Sequence, residues 1–133
     1  MPAYSTSLGK AIVAFLPERE IKEFLNSVKM KPLTRNTITD RKKFLEELRR
    51  IRNKGFSTNN AETDKGIRSV AAPVRDRSGR VVASINISMP SVRVTLRDLQ
   101  NRFALEVIRT GETISDALGY KKEDKNQRRG FRV

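Results

Sequence analysis

Gly66-Ile67-Arg68-Ser69-Val70-Ala71-Ala72-Pro73-Val74-Arg75 and Arg80-Val81-Val82-Ala83-Ser84-Ile85-Asn86-Ile87-Ser88 are runs of mostly small and β-branched residues, separated by Asp76-Arg77-Ser78-Gly79. Branched side chains suit a pleated, half-buried surface, and the four residues between the runs form a turn sequence, so this stretch predicts a β-hairpin. Successive side chains point to opposite faces of a strand. In the second run Val81, Ala83, Ile85 and Ile87 therefore share one face, and Val82, Ser84, Asn86 and Ser88 the other. If the turn joins Arg75 to Arg80, Ser69 faces Asn86, Ile67 faces Ser88 and Ala71 faces Ser84. A bulge at the turn would change these partners. Ser69, Ser84, Asn86 and Ser88 then make a polar row between small residues. Neutral donors and acceptors beside open space are what a pocket for a small polar or anionic molecule needs. Antiparallel sheets also carry polar rows on a solvated side, and periodicity by itself favours that simpler reading.

Upstream of the hairpin the period changes to that of helices. Ser5, Thr6 and Ser7 offer capping oxygens before Gly9-Lys10-Ala11-Ile12-Val13-Ala14-Phe15-Leu16, a small-residue apolar helix ended by Pro17. Pro17 can open a second helix in which Ile21, Phe24, Leu25 and Val28 form one apolar stripe. Asp40 can cap a third helix that buries Phe44, Leu45, Leu48 and Ile51, and Gly55 stands where a left-handed C-terminal glycine belongs. Downstream, Thr95 with Asp98 resembles a capping box ahead of a long helix with Leu96, Leu99, Phe103, Val107, Ile114 and Leu118 turned inward and Gly119 past its end. Residues 120–133 are polar and basic without periodicity and are expected to be a flexible tail after a domain of residues 1–119.

The order helix, helix, helix, strand, strand, helix is an α+β arrangement, an antiparallel sheet covered by helices. A lone hairpin is at best marginally stable, so the chain reads as short of strands. Either Ser57 to Glu62 adds one or partner strands come from elsewhere.

Composition narrows the chemistry. The 133 residues contain neither Cys nor His. Disulfides, thiolate zinc sites and imidazole acid–base catalysis therefore lose their usual parts, and neither an enzyme nor a metal or cofactor protein is expected. No apolar run is long enough for a membrane span, and no basic-then-apolar leader begins the chain, so a cytoplasmic location is expected. Lys and Arg number 28 against 15 Asp and Glu, a net charge of +13, which favours polyanionic partners. The cations are spread over helix faces (Arg41, Lys42, Lys43, Arg49, Arg50) and the last segment, as on a solvated surface, and no nucleic-acid-reading motif accompanies them. Glu62 and Asp64 near Arg68 could serve as an acid–base pair, but carboxylates beside Arg more often cap loops and pair.

Five segments in order carry a resemblance: Ala3-Tyr4-Ser5-Thr6-Ser7-Leu8-Gly9-Lys10-Ala11; Gly55-Phe56 followed by Glu62; Gly66 to Val74; Gly79-Arg80-Val81-Val82-Ala83; and Ile85-Asn86-Ile87-Ser88. Together they resemble the effector-binding domain of IclR-type bacterial transcription regulators, from about Pro2 to Gly119. Arg68-Ser69, Asn86 and Arg93-Val94 look most like the branch that regulates aromatic-acid catabolism, the PcaR, PcaU and PobR type. The resemblance implies a GAF-like sensor domain that binds a small organic acid and that acts in homodimers or homotetramers. It implies DNA contact only through an N-terminal winged helix-turn-helix lying outside this chain, together with the first sensor strands. The sensor domain is accordingly expected to be incomplete at its N-terminus.

The resemblance also implies ligand-binding positions. Ser7 and Leu8 enter the first helix, and their backbone N–H groups resemble anion donors. Asn59 stands where relatives often carry Asp, which removes a negative charge and favours a carboxylate ligand. Ser69, Asn86 and Ser88, already on the polar row, complete the set. The competing expectations are a basic nucleic-acid-binding fragment and an oligomerisation fragment that pairs through open strand edges.

Overall fold

The computed structural model describes residues 2–122. A 3-10 turn, Ala3–Ser5, leads into α1 (Ser7–Val13), α2 (Glu18–Ser27) and α3 (Arg41–Lys54). Three strands follow, β1 (Ser57–Asn60), β2 (Ile67–Arg75) and β3 (Val81–Pro90). The last block runs from α4 (Leu96–Asp98) through a π-helical turn at Leu99–Phe103 into α5 (Ala104–Ala117). The strands form one antiparallel sheet in the order β1-β2-β3. The α+β class expected from the sequence is what is found, and the added strand is Ser57–Asn60.

Local chemistry places the helix ends. The Thr6 hydroxyl accepts from Gly9 N and starts α1, Asp40 accepts from Lys42 N and starts α3, and Thr95 accepts from Asp98 N. Gly55 closes α3 with φ +85°. Pro17 stands just before α2, where its missing N–H removes no helical bond. The first helix is shorter than expected: α1 ends at Val13, and 3-10-type bonds carry the chain on to Leu16.

Two apolar clusters hold the layers together. One lies among the first three helices, with Tyr4, Val13, Ile21, Leu25, Phe44, Leu48 and Ile51. The other lies between the sheet and the C-terminal helix, with Val70, Ala72, Val94, Leu99, Ala104 and Val107. The inward face of α5 is lined by Ala104, Val107, Gly111 and Ser115, and a Cβ at Gly111 would sit 2.8 Å from Pro73 O. Small residues thus seat the helix directly on the β2 backbone. Leu118, expected inward, is exposed: it is the C-cap residue past the end of α5, and Ser115 is the last residue of the helix to be buried.

The hairpin register differs from the expected one by two residues. Ser69 pairs with Ser88, Ala71 with Asn86 and Pro73 with Ser84, with an irregularity between Val74 and Arg75. One residue of the difference comes from the turn, where Arg75 opposes Val81 rather than Arg80, and the other from the irregularity at Val74 and Arg75. A two-residue slip keeps every side chain on its face. The polar row therefore survives, with different partners.

Candidate functional site

The face of the sheet opposite α5 carries a cross-strand line of Asn59, Ser69 and Ser88, beside a second line of Ser57, Ala71 and Asn86. The N-terminal turn of α1 lies over it. Ser7 Oγ and Ser69 Oγ are 2.6 Å apart, Ser57 Oγ donates to Ser7 O (2.5 Å), and Ser84 Oγ donates to Leu8 O (2.9 Å). Asn59 Nδ2 donates to Ser5 O (2.8 Å), while Asn59 Oδ1 accepts from Glu62 N (2.7 Å). The hydroxyls and amide of the polar row thus pin the entry to α1 onto the sheet.

Between α1, the row and the β1–β2 loop is a cavity of about 360 Å³. Ser7, Leu8, Asn59, Ser69, Asn86 and Ser88 all line it. The structure therefore brings together the six residues named as ligand-binding positions, three of them found by alternation and three from the family resemblance, while Ser84 of the polar row lies outside the lining. Their states differ. Ser7, Asn59 and Ser69 are buried and bonded to neighbours, whereas Asn86 and Ser88 are exposed and bonded to each other (3.2 Å). Ser7 N and Leu8 N have no acceptor among the described residues, while Gly9 N is taken by Thr6 Oγ1 (3.0 Å).

Ala3, Thr6, Gly9, Thr63, Asp64 and Ile67 also line the cavity. Ala3, Thr6 and Gly9 belong to the first family-like segment, but Thr63 lies in a loop without periodicity and carries no signal, and Asp64 stood out only beside Glu62 and Arg68. Asp64 is the charged lining side chain; its Oδ1 accepts from Gly66 N (2.8 Å). Among the described residues no cationic side chain lines the cavity. A larger cavity of about 600 Å³ between α3, the end of β2 and α5 contains none of the six residues.

The acid–base reading of Glu62 and Asp64 does not match the geometry. Glu62 pairs with Lys10 (2.9 Å) and accepts from Asn60 N (3.0 Å). Arg68 turns away, donating to Asn60 Oδ1, Ser91 O and Val94 O. On α3, Arg41, Lys42, Lys43 and Arg49 are exposed, as a solvated helix face would be, while Arg52 donates to Ala14 O and Leu16 O in the turn after α1. Among the described residues no group of Cys, His, Asp and Glu is arranged to hold a metal, and no helix is long and apolar enough to cross a membrane. Most of the basic tail expected over 120–133 lies outside the described residues; Tyr120, at its start, packs near Gly79 and over the Arg75 guanidinium.

Comparison with known proteins gives a consistent set. A family profile described as bacterial transcriptional regulator IclR C-terminal matches residues 1–116. The HTH-type transcriptional regulator KdgR of Escherichia coli is 36% identical over 119 residues, covering 90% of this chain and 45% of that protein. The crystal structure of the Thermotoga maritima IclR superposes with a TM-score of 0.85 at 38% identity, covering 90% of this chain and 48% of that one. The inducer-binding domain of a PobR double mutant from Acinetobacter, in complex with 3-hydroxybenzoic acid, superposes with a TM-score of 0.81 at 28% identity, covering 86% of this chain and 66% of that one. The chain thus spans about half or less of the length of the KdgR and IclR proteins it matches. Identity to KdgR exceeds that to PobR, so the expected aromatic-acid branch gives way to the broader family assignment.

Proposed function

Because this chain belongs to the IclR family of bacterial transcriptional regulators, as a C-terminal domain, we propose that it senses a small organic acid in the cavity beneath α1. The observation that carries the reading is the convergence of Ser7, Leu8, Asn59, Ser69, Asn86 and Ser88 on one cavity of about 360 Å³. A volume in this range, with an apolar rim and a few fixed polar groups, suits a small ligand. The unused N–H groups of Ser7 and Leu8 would meet the carboxylate, and the exposed amide of Asn86 and hydroxyl of Ser88 would read the remainder of the ligand. The PobR domain complex with 3-hydroxybenzoic acid supports an acid of this size. Occupancy would then alter DNA binding by a winged-helix domain elsewhere in the regulator, within a homodimer or homotetramer.

Isothermal titration of the folded chain and of the whole regulator with short-chain, hydroxy and aromatic carboxylates, 3-hydroxybenzoate included, tests the reading. Saturable binding that is weakened by Asn86→Leu supports it. Absence of binding by either protein across the panel, or binding that Asn86→Leu leaves unchanged, overturns it.

A further inference from the structure

Among the described residues Lys10 is a fully buried cation, with 1% of its surface exposed. Its ammonium sits 2.9 and 3.2 Å from the two oxygens of Glu62, donates to Thr58 O at 2.6 Å, and lies 3.9 Å from Glu47. A buried ammonium is tolerated only where opposite charge and hydrogen bonds replace its hydration, and a buried pair of this kind often adds little net stability. Its value is then geometric, since three directed N–H bonds fix where each partner stands.

Those partners frame the cavity. Lys10 belongs to α1, whose first residues form one wall. Glu62 follows Ala61 in the β1–β2 loop, which supplies Thr63 and Asp64 to the opposite wall beside Asn59 of β1. That loop holds a strained point: Ala61 has φ +56°, a left-handed conformation unfavourable for a residue with a Cβ. The turn at Ala61 aims the Glu62 carboxylate inward, where it takes both the Lys10 ammonium and Asn60 N. Thr34 and Thr37 hold the same turn from outside by donating to Ala61 O (2.6 Å) and Glu62 O (2.5 Å).

We propose that Lys10, through its buried ion pair with Glu62, is a positioning residue of this cavity: it holds the β1–β2 loop against α1 so that the two walls keep their spacing. The proposal rests on the effector reading only for what the cavity is used for. The loop geometry can be measured without any ligand, so the two ideas fail separately.

Amide hydrogen exchange on the whole chain tests it. Glu62→Gln keeps the shape and one acceptor oxygen for Asn60 N, and removes the charge together with one of the two oxygens that accept from Lys10. Lys10→Met with Glu62→Gln removes both buried ions together. In both variants the amides of Asn60, Ala61 and Glu62 are expected to exchange about tenfold faster, while those of the β2–β3 ladder change less than twofold. Lys10→Met alone, which leaves Glu62 buried without its cation, should lower the melting temperature more than the double variant does. Equal acceleration across loop and ladder in Glu62→Gln would mean a merely structural ion pair and overturns the proposal. Unchanged loop exchange in Glu62→Gln, whatever the double variant does, overturns it as well.

Discussion

Replacing Gly9 by Ala should damage the cavity rather than stabilise α1. On an unencumbered helix the change is favourable by up to about 1 kcal/mol, because glycine has the greater backbone freedom to lose. Here a Cβ would stand 2.4 Å from both Cα and O of Ala3. That is roughly 1 Å inside ordinary contact, and the atoms met are backbone, which no rotamer change can relieve. The 3-10 turn Ala3–Ser5 has to move outward. Ser5 O then loses its bonds from Asn59 Nδ2 (2.8 Å) and Thr63 Oγ1 (2.6 Å), which tie the turn to the cavity loop. Overpacking of this kind costs about 1–3 kcal/mol, and each lost hydrogen bond about 1 kcal/mol. Set against the helix gain, the net loss is about 2–4 kcal/mol, or roughly 10 °C of melting temperature for a chain this size. Thermal unfolding followed by circular dichroism measures it, and amide shifts of Thr63 and Asn59 report the displaced turn. A Gly9→Ala variant as stable as the parent, with those shifts unmoved, would show that the close approach of α1 to Ala3 is not a constraint.

Other substitutions probe the same frame at different points. Asn59→Asp removes the donor to Ser5 O and sets carboxylate oxygens against that carbonyl and near Glu62, so it should destabilise by about 1–3 kcal/mol, read by urea unfolding. It should also weaken any carboxylate ligand, and stability equal to the parent's would refute the structural part. In the hairpin turn, Ser78 donates from its hydroxyl and backbone N–H to Asp76 Oδ1 (2.5 and 2.8 Å). The Ser78 hydroxyl foremost, then backbone N–H groups and the Arg80 charge, hold the Asp76 carboxyl below its ordinary value, outweighing the opposing effect of burial. A lowered folded-state value stabilises above the unfolded-state value, and that contribution disappears as pH falls through the folded one. The melting-temperature gap between the parent and Asp76→Ala should therefore close in acid, and a gap constant across the carboxylate range would contradict this.

Much of this frame was legible because its causes are local. Thr6, Asp40, Thr95 and Gly55 act through backbone groups within a few residues, so their caps stand in the sequence. The polar row was legible because its period is two, and a two-residue slip of the hairpin left it intact. Which residues oppose each other depended on the irregularity at Val74 and Arg75, which no composition rule fixes. The apolar period also did not mark where the last helix stops: Leu118 is its C-cap residue and is exposed. Nor could the fate of Lys10 be read from its place in a helix. Its burial depends on Glu62, 52 residues away, and a lysine on a helix ordinarily turns to water. Asn59 shows the intermediate case: the resemblance placed it at the cavity, but both ends of its amide are spent on Ser5 and Glu62.

The buried ammonium of Lys10 also has a chemical consequence. Acylating reagents reach amines at the surface, and Lys22, Lys42 and Lys65 are all exposed to them. Lys10 is shielded on every side, so its acylation must wait for α1 and the β1–β2 loop to part. The lag of that one mass increment behind the others is then an internal stopwatch for the breathing of the cavity, readable in a mass spectrometer with no label attached.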